Sequence, residues 1–407
     1  MKISKRLQNL PDQFFSSLVE KVGKKVAEGH DVINLGQGNP DQPTPKHIVE
    51  AMKTASENPM NHKYSLFRGK QELKQAAADF YAREYNVTID PNTEVAILFG
   101  TKTGLVELPM CLMDPGDVML LPDPGYPDYL SGAVLPDPGY PDYLSGAVLG
   151  EVEFETMPLI AENDFLPDFN KIPEEIAKKA ELMYLNYPNN PTGAVATTHF
   201  FEETVAFAKE NNITIAHDFA YGGIGFDGKK PISFLETPGA KEVGIELYTL
   251  SKTYNMAGWR VGFAVGNKDV VEAINLIQDH MYVSLFPGIQ DAAIEALTGD
   301  QTCVQELNAR YESRRNAFIA ACDKIGWEAI APAGSFFAWM PVPKEFTSSE
   351  FADYLLNEVS VAVADGSGFG TFGEGYVRVG LLMDEKRLEE AVARISKLHL
   401  FDKVAQN

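Results

Sequence analysis

Cysteine is scarce. Cys111, Cys303 and Cys322 are the only three in 407 residues, an odd and widely spaced set that argues against a disulfide framework or a thiolate metal centre. The seven histidines show no ligand spacing either. Positive charge is short as well: 35 basic residues stand against 57 acidic ones, and the net charge of −22 opposes binding to nucleic acid or to an anionic membrane. No stretch approaches ~18 uninterrupted apolar residues, which argues against a spanning helix. The first residues, MKISKRLQNLPDQFF, lack the apolar segment of a secretion signal, so the expected compartment is the cytoplasm. There is no low-complexity linker, and the chain is long enough for about two domains.

What the chain does have is a set of polar groups at the ends of apolar runs, where an open parallel sheet places its ligand. The run in YTLSKTYNMAGWRVGF ends at Lys252, flanked by Thr249, Ser251 and Thr253, with Arg260 eight residues on. A lysine that attacks a carbonyl at neutral pH must be unprotonated, so it needs burial or a neighbouring positive charge. After Leu182–Leu185 comes NYPNNPTG, whose Asn190 can donate a hydrogen bond to a ring oxygen. After Ile213–Ala216 comes HDFAY, with Asp218 at the strand tip and Tyr221 three residues further. A carboxylate there can keep a pyridine nitrogen protonated, which makes the ring an electron sink. After Val95–Phe99 the turn GTKTG opens a helix whose first amides can receive a phosphate. His217 adjoins Asp218, but neighbours on a strand face opposite ways, so it reads as structural.

These motifs, in this order, resemble the class I/II aminotransferases of fold type I, which depend on pyridoxal 5'-phosphate, along nearly the whole chain. The resemblance implies an α/β fold: a large domain on a mainly parallel sheet and a smaller α/β domain built from both chain ends. It implies that Lys252 carries the cofactor as a Schiff base and shuttles the proton, that Asp218 pairs with the ring nitrogen, and that Asn190 and Tyr221 meet the ring hydroxyl. Thr101, Lys102, Thr249, Ser251 and Arg260 would hold the phosphate. Tyr64, in HKYSLFRG, would reach the phosphate of a neighbouring subunit, so a homodimer is expected. Arg378, in EGYVRVG, would grip the substrate α-carboxylate, with Gly38 of INLGQGNPD close to the same group. Position 249, usually serine or glycine in the family, is threonine here, which keeps the hydroxyl.

One segment departs from the family. Residues 121–134, LPDPGYPDYLSGAV, are repeated letter for letter at 135–148. In the family the tyrosine of this segment stacks on the cofactor, so Tyr126 and Tyr140 compete for one place. Tyr126 follows the apolar strand Val118–Leu121 directly and is favoured, which would leave the other copy to bulge outward. The repeat is too short for a solenoid, so a recent duplication or a cloning or assembly artefact is the expected origin. Alternating apolar runs and amphipathic helices place the large cofactor domain at 46–295. The smaller domain then comprises 1–45 and 296–407.

Family members that prefer aspartate use a second arginine from the segment between the lysine motif and the C-terminal domain, and no arginine lies between Arg260 and Arg310. With Phe14, Phe15, Phe336, Phe337 and Trp339 near the expected mouth, a neutral apolar side chain such as that of methionine is expected. The likeness is greatest to bacterial aminotransferases of methionine salvage, acting on 4-methylthio-2-oxobutanoate, and to diaminopimelate-type enzymes. Two alternatives stand beside a ping-pong aminotransferase. One is a carbon–sulfur β-lyase on the same fold. The other is a cofactor-binding regulatory domain, disfavoured because the roughly 45 residues before the cofactor domain lack basic helix-turn-helix character.

Overall fold

The computed structural model describes residues 14–125, 147 and 149–401, together with 3, 4 and 8. The strands are, in chain order, β1 Ile33–Asn34, β2 Val95–Leu98, β3 Val118–Asp123, β4 Glu153–Pro158, β5 Ala180–Asn186, β6 Thr214–Asp218, β7 Gly244–Thr249, β8 Gly262–Gly266, β9 Phe337–Pro341, β10 Val361–Ala362, β11 Ala364–Asp365 and β12 Tyr376–Gly380. Seven of them form one sheet in the order β2-β8-β7-β6-β5-β3-β4. Strands β4, β3, β5, β6 and β7 pair in parallel, and β8 alone runs against its neighbours β7 and β2.

Burial on both faces explains the continuous apolar runs. Along β5, Leu182 and Tyr184 pack into one cluster while Met183 and Leu185 pack into another. Each fully buried aliphatic side chain contributes about 2 kcal/mol of hydrophobic stabilisation. Local sequence sets where the helices begin and end. The helix Thr198–Asn211 starts where the Thr197 hydroxyl accepts the Phe200 amide and stops at Asn212, whose φ of 58° is left-handed.

A separate core joins the chain ends. Ile33 and Leu35 pack with Phe318, Phe351, Val377 and Leu388. Its strands form an antiparallel sheet in the order β11-β12-β9, beside the parallel pair β1 and β10. The helix Phe14–Ala27 precedes β1. The parallel strands β5, β6 and β7 all end at one edge of the large sheet, and there the polar motifs gather.

Candidate active site

Lys252 sits on the short helix Leu250–Thr253 that follows β7. Thr249 starts that helix, its hydroxyl accepting the Ser251 amide at 3.2 Å and donating to Ser251 Oγ at 2.9 Å. The lysine Nζ donates to the Gly38 carbonyl at 3.1 Å and lies 5.5 Å from the centre of Phe336 and 5.9 Å from that of Tyr221. Burial lowers the amine to about 8, and the positive charges of Arg378 and Arg260 push the same way against the opposing pull of Asp218. Such an amine is partly neutral near pH 7, which an unperturbed lysine is not.

Asp218 ends β6, almost buried, with Oδ1 accepting the Ala220 amide at 3.2 Å. Its backbone carbonyl accepts from Asn186 Nδ2 at 2.8 Å, and Asn186 Oδ1 accepts the Asn190 amide at 2.8 Å. Asn186 thus ties the β6 tip to the Asn190 turn. Asn190 Oδ1 accepts from Arg378 Nη1 at 2.8 Å, while Arg378 Nη2 donates to the Gly36 carbonyl at 3.0 Å. Tyr221 is buried edge-on against Phe336 and Phe337, and burial raises its phenol above the ordinary range.

Across the cleft the helix Thr101–Leu112 begins at Gly100, which gives it no side-chain cap. Gly100 has φ 74°, and a Cβ there would lie 2.5 Å from Arg260 Nη2. The glycine therefore lets a guanidinium lie across an uncapped helix start, an arrangement of cation, amides and hydroxyls suited to a phosphate. About 600 Å³ of open space separates this end from Asp218. Phosphate donors at one end, a carboxylate at the other and an amine with a lowered pKa between them fit pyridoxal phosphate.

Nine of the expected residues line this cleft: Thr101, Lys102, Asn190, Asp218, Tyr221, Thr249, Ser251, Lys252 and Arg260. Gly38 and Arg378 join it through their bonds to Lys252 and Asn190. Tyr64 does not line its own chain's cleft; it is 93% exposed. Tyr126 and Tyr140 lie outside the described residues, as does the side chain of Phe14.

The expected aromatic pocket divides. Phe337 lies under the Arg378 guanidinium at 4.1 Å. Trp339 stacks on Tyr376 and lines a neighbouring groove instead. Asn186, Gly36 and Gly100 were not anticipated. Asn186, as the first residue of the NYPNNPTG turn, was within reach of the sequence reading, whereas Gly36 acts only through its carbonyl.

The model of the family "aminotransferase class I and II" matches residues 30–135 and again 130–395, two pieces that overlap within the repeated segment. The chain is 66% identical to L-glutamine–4-(methylsulfanyl)-2-oxobutanoate aminotransferase of Bacillus subtilis, over 97% of this chain and 96% of the relative. It is 45% identical to an LL-diaminopimelate aminotransferase of Desulforudis audaxviator, over 96% of each. The substrate-bound structure of BacF from Bacillus subtilis superposes with a TM-score of 0.92 at 48% identity, covering 99% of this chain and all of that one. With a family model over most of its length and relatives this similar, the chain belongs to the class I and II aminotransferases.

Proposed function

We propose that this aminotransferase uses pyridoxal 5'-phosphate in the cleft described, and that its substrate pair is methionine and 4-(methylsulfanyl)-2-oxobutanoate. The observation that carries the cofactor reading is the Lys252 amine, lowered to about 8 between Asp218 and the guanidinium groups of Arg260 and Arg378. The substrate is supported by the 66% identical relative and by the lack of an arginine between Arg260 and Arg310.

Lys252 Nζ is the covalent anchor. Thr101, Lys102, Thr249, Ser251 and Arg260 would hold the phosphate, Asp218 would pair with the ring nitrogen and Tyr221 with the ring oxygen. Asn190 spends its Oδ1 on Arg378, so its Nδ2 is the end with protons to give that oxygen. When bound, the cofactor supplies an electron sink for the pair left on the amino acid's Cα. Arg378, with Gly38 alongside, would dock the α-carboxylate, and Lys252 Nζ would take the Cα proton and deliver it on the far side of the amino nitrogen; water would then release the first oxo acid, the amino group staying in the cleft for the second. A second oxo acid runs the sequence backwards.

The same proposal includes a homodimer in which Tyr64 serves the neighbouring site. The exposure of Tyr64, Leu66 at 69% and Phe67 at 57% supports it. It also includes a cytoplasmic location, consistent with the finding that no described helix is long and apolar enough to cross a membrane. The core of Ile33, Phe318, Phe351 and Val377 supports a smaller domain of 1–45 with 296–407 beside a cofactor domain of 46–295, although Ala296 and Leu297 pack in the large core.

The test is the visible spectrum of the purified protein with methionine, then with each oxo acid. Bleaching by methionine and recovery with 4-(methylsulfanyl)-2-oxobutanoate are expected. Faster recovery with a dicarboxylic oxo acid would overturn the substrate, and release of ammonia and pyruvate from a cysteine conjugate without any acceptor would indicate a β-lyase.

A further inference from the structure

Arg378 is sandwiched by aromatic rings, and one of them is fastened from the large sheet. The guanidinium carbon lies 4.1 Å from the centre of Phe337, 4.7 Å from Phe369 and 5.1 Å from Phe15. Phe337 belongs to β9, the partner of Arg378's own strand β12. Phe369 closes a short turn, Gly366–Phe369, that leaves β11 with the Asp365 carboxylate capping the Ser367 amide at 2.9 Å.

The far end of that turn is held by β3. The Gly125 amide donates to the Phe369 carbonyl at 2.9 Å, and the Phe372 amide donates to Asp123 Oδ1 at 3.0 Å. Asp123 is 2% exposed. Gly370 has φ 131°, and a Cβ there would lie 2.1 Å from Asp123 Oδ1, so the carboxylate fills the space a side chain would take. Burial raises this carboxyl to about 6 in spite of the amides of Phe372 and Thr371. A buried carboxyl at that cost, spent on backbone donors of another core, ties two parts of the molecule together.

We propose that Asp123 is a positioning residue for the substrate α-carboxylate: through the 370–372 turn it seats Phe369 on Arg378 and so fixes the guanidinium fork relative to Lys252. The inference rests on Arg378 being the carboxylate-binding group. Asp123 acts through Phe369, and neither lines the cleft of the phosphate donors, so it governs how tightly a carboxylate binds and leaves cofactor loading alone. The tandem repeat supplies an internal control. Asp137 occupies the same place in the second LPDPG of the sequence and lies outside the described residues, while Asp123 accepts from the turn.

The experiment measures the inhibition constant of 4-(methylsulfanyl)butanoate, which has the carboxylate and tail of methionine but no amine to react, on the cofactor-loaded enzyme. D123N and G370A are expected to weaken it about tenfold and to raise KM for methionine with kcat nearly unchanged. D137N should match wild type. The cofactor absorbance should stay at full occupancy in all three. G370A approaches the clasp from its other side and carries the test should D123N fail to fold.

Wild-type inhibition of D123N and G370A alongside a weakened R378K would overturn the clasp while leaving Arg378 in its role. Unchanged inhibition of R378K would overturn the carboxylate reading, and this inference with it. A loss in D137N but not D123N would also overturn the clasp, as would cofactor loss in parallel with the inhibition constant.

Discussion

His217 and Asp218 are consecutive on β6, so their side chains leave the sheet on opposite faces. His217 enters the core. Its Nε2 accepts the Tyr187 amide at 3.2 Å, which leaves the proton on Nδ1 to be donated to Glu246 Oε2 at 2.8 Å. Glu246 also accepts from Tyr81 Oη at 2.7 Å, Ser233 Oγ at 2.7 Å and the Phe234 amide at 2.8 Å. Asp218 instead turns toward the cleft, where Lys252, Arg260 and Arg378 bring three cationic side chains. One face saturates its buried carboxylate with donors, and the other concentrates positive charge around an amine that cannot easily hold its own. The first face pairs its buried charge fully within the protein, and the second gathers cations around an amine whose pKa they lower.

The largest expected effect falls on the reactive face alone. Lys252→Ala should cut transamination by roughly 10⁴-fold, since on the proposed mechanism it would remove both the covalent anchor and the proton shuttle. Chemical denaturation should show no loss of stability, because a buried amine with a lowered pKa is replaced by a neutral group. A destabilised Lys252→Ala protein would break the division between the faces.

Next comes the opposite face. Glu246→Leu strands the donors of Tyr81, Ser233, Phe234 and His217 and should cost about 3–5 kcal/mol in urea unfolding. The protein that remains folded should keep a Lys252 amine near its wild-type pKa. A shift of that amine would show that the faces are coupled through β6.

The two faces were unequally legible in the sequence. Lys252, Asp218 and Asn190 end apolar runs, so strand period and position sufficed to single them out before any resemblance was invoked. Glu246 stands as a lone acid within the buried strand β7, a signal that was present but pointed to no partner, because its donors come from residues 81, 217, 233 and 234. The Phe372 amide and Asp123 meet only in the folded chain, and their 249-residue separation leaves no periodic trace. Tyr64 is exposed and lines no cleft of its own chain, so only the proposed dimer would give it a role.

A smaller effect sharpens the electrostatic side of the contrast. In the cofactor-free protein the Lys252 amine titrates at about 8, below the 10.5 of an ordinary lysine. Between those values the unfolded chain binds more protons than the folded one, so this group makes stability rise with pH from about 8 to 10.5. Below that window its penalty is fully present. Lys252→Met should flatten this part of the stability profile, and the wild-type amine should become more reactive toward added pyridoxal phosphate as pH rises through 8. An identical profile for the two proteins would mean that the cleft does not perturb the lysine.

The smallest effect concerns the repeat, which joins β3, at the reactive edge, to the chain resuming at Leu149. Removing 121–134 or 135–148 gives one and the same sequence, because the copies are identical. The shorter chain keeps Leu-Pro-Asp-Pro-Gly at the end of β3 and so retains the residues that meet the Gly370 turn. The family model's overlapping pieces, 30–135 and 130–395, should merge into one continuous match. Closing a connection with one copy fewer costs less chain entropy, by about 0.6 kcal/mol. The single-copy protein should therefore bind pyridoxal phosphate fully, keep its methionine KM and unfold at slightly higher urea. Loss of cofactor binding would mean that the second copy is part of the reactive face, and that this face extends beyond the strand ends that define it here.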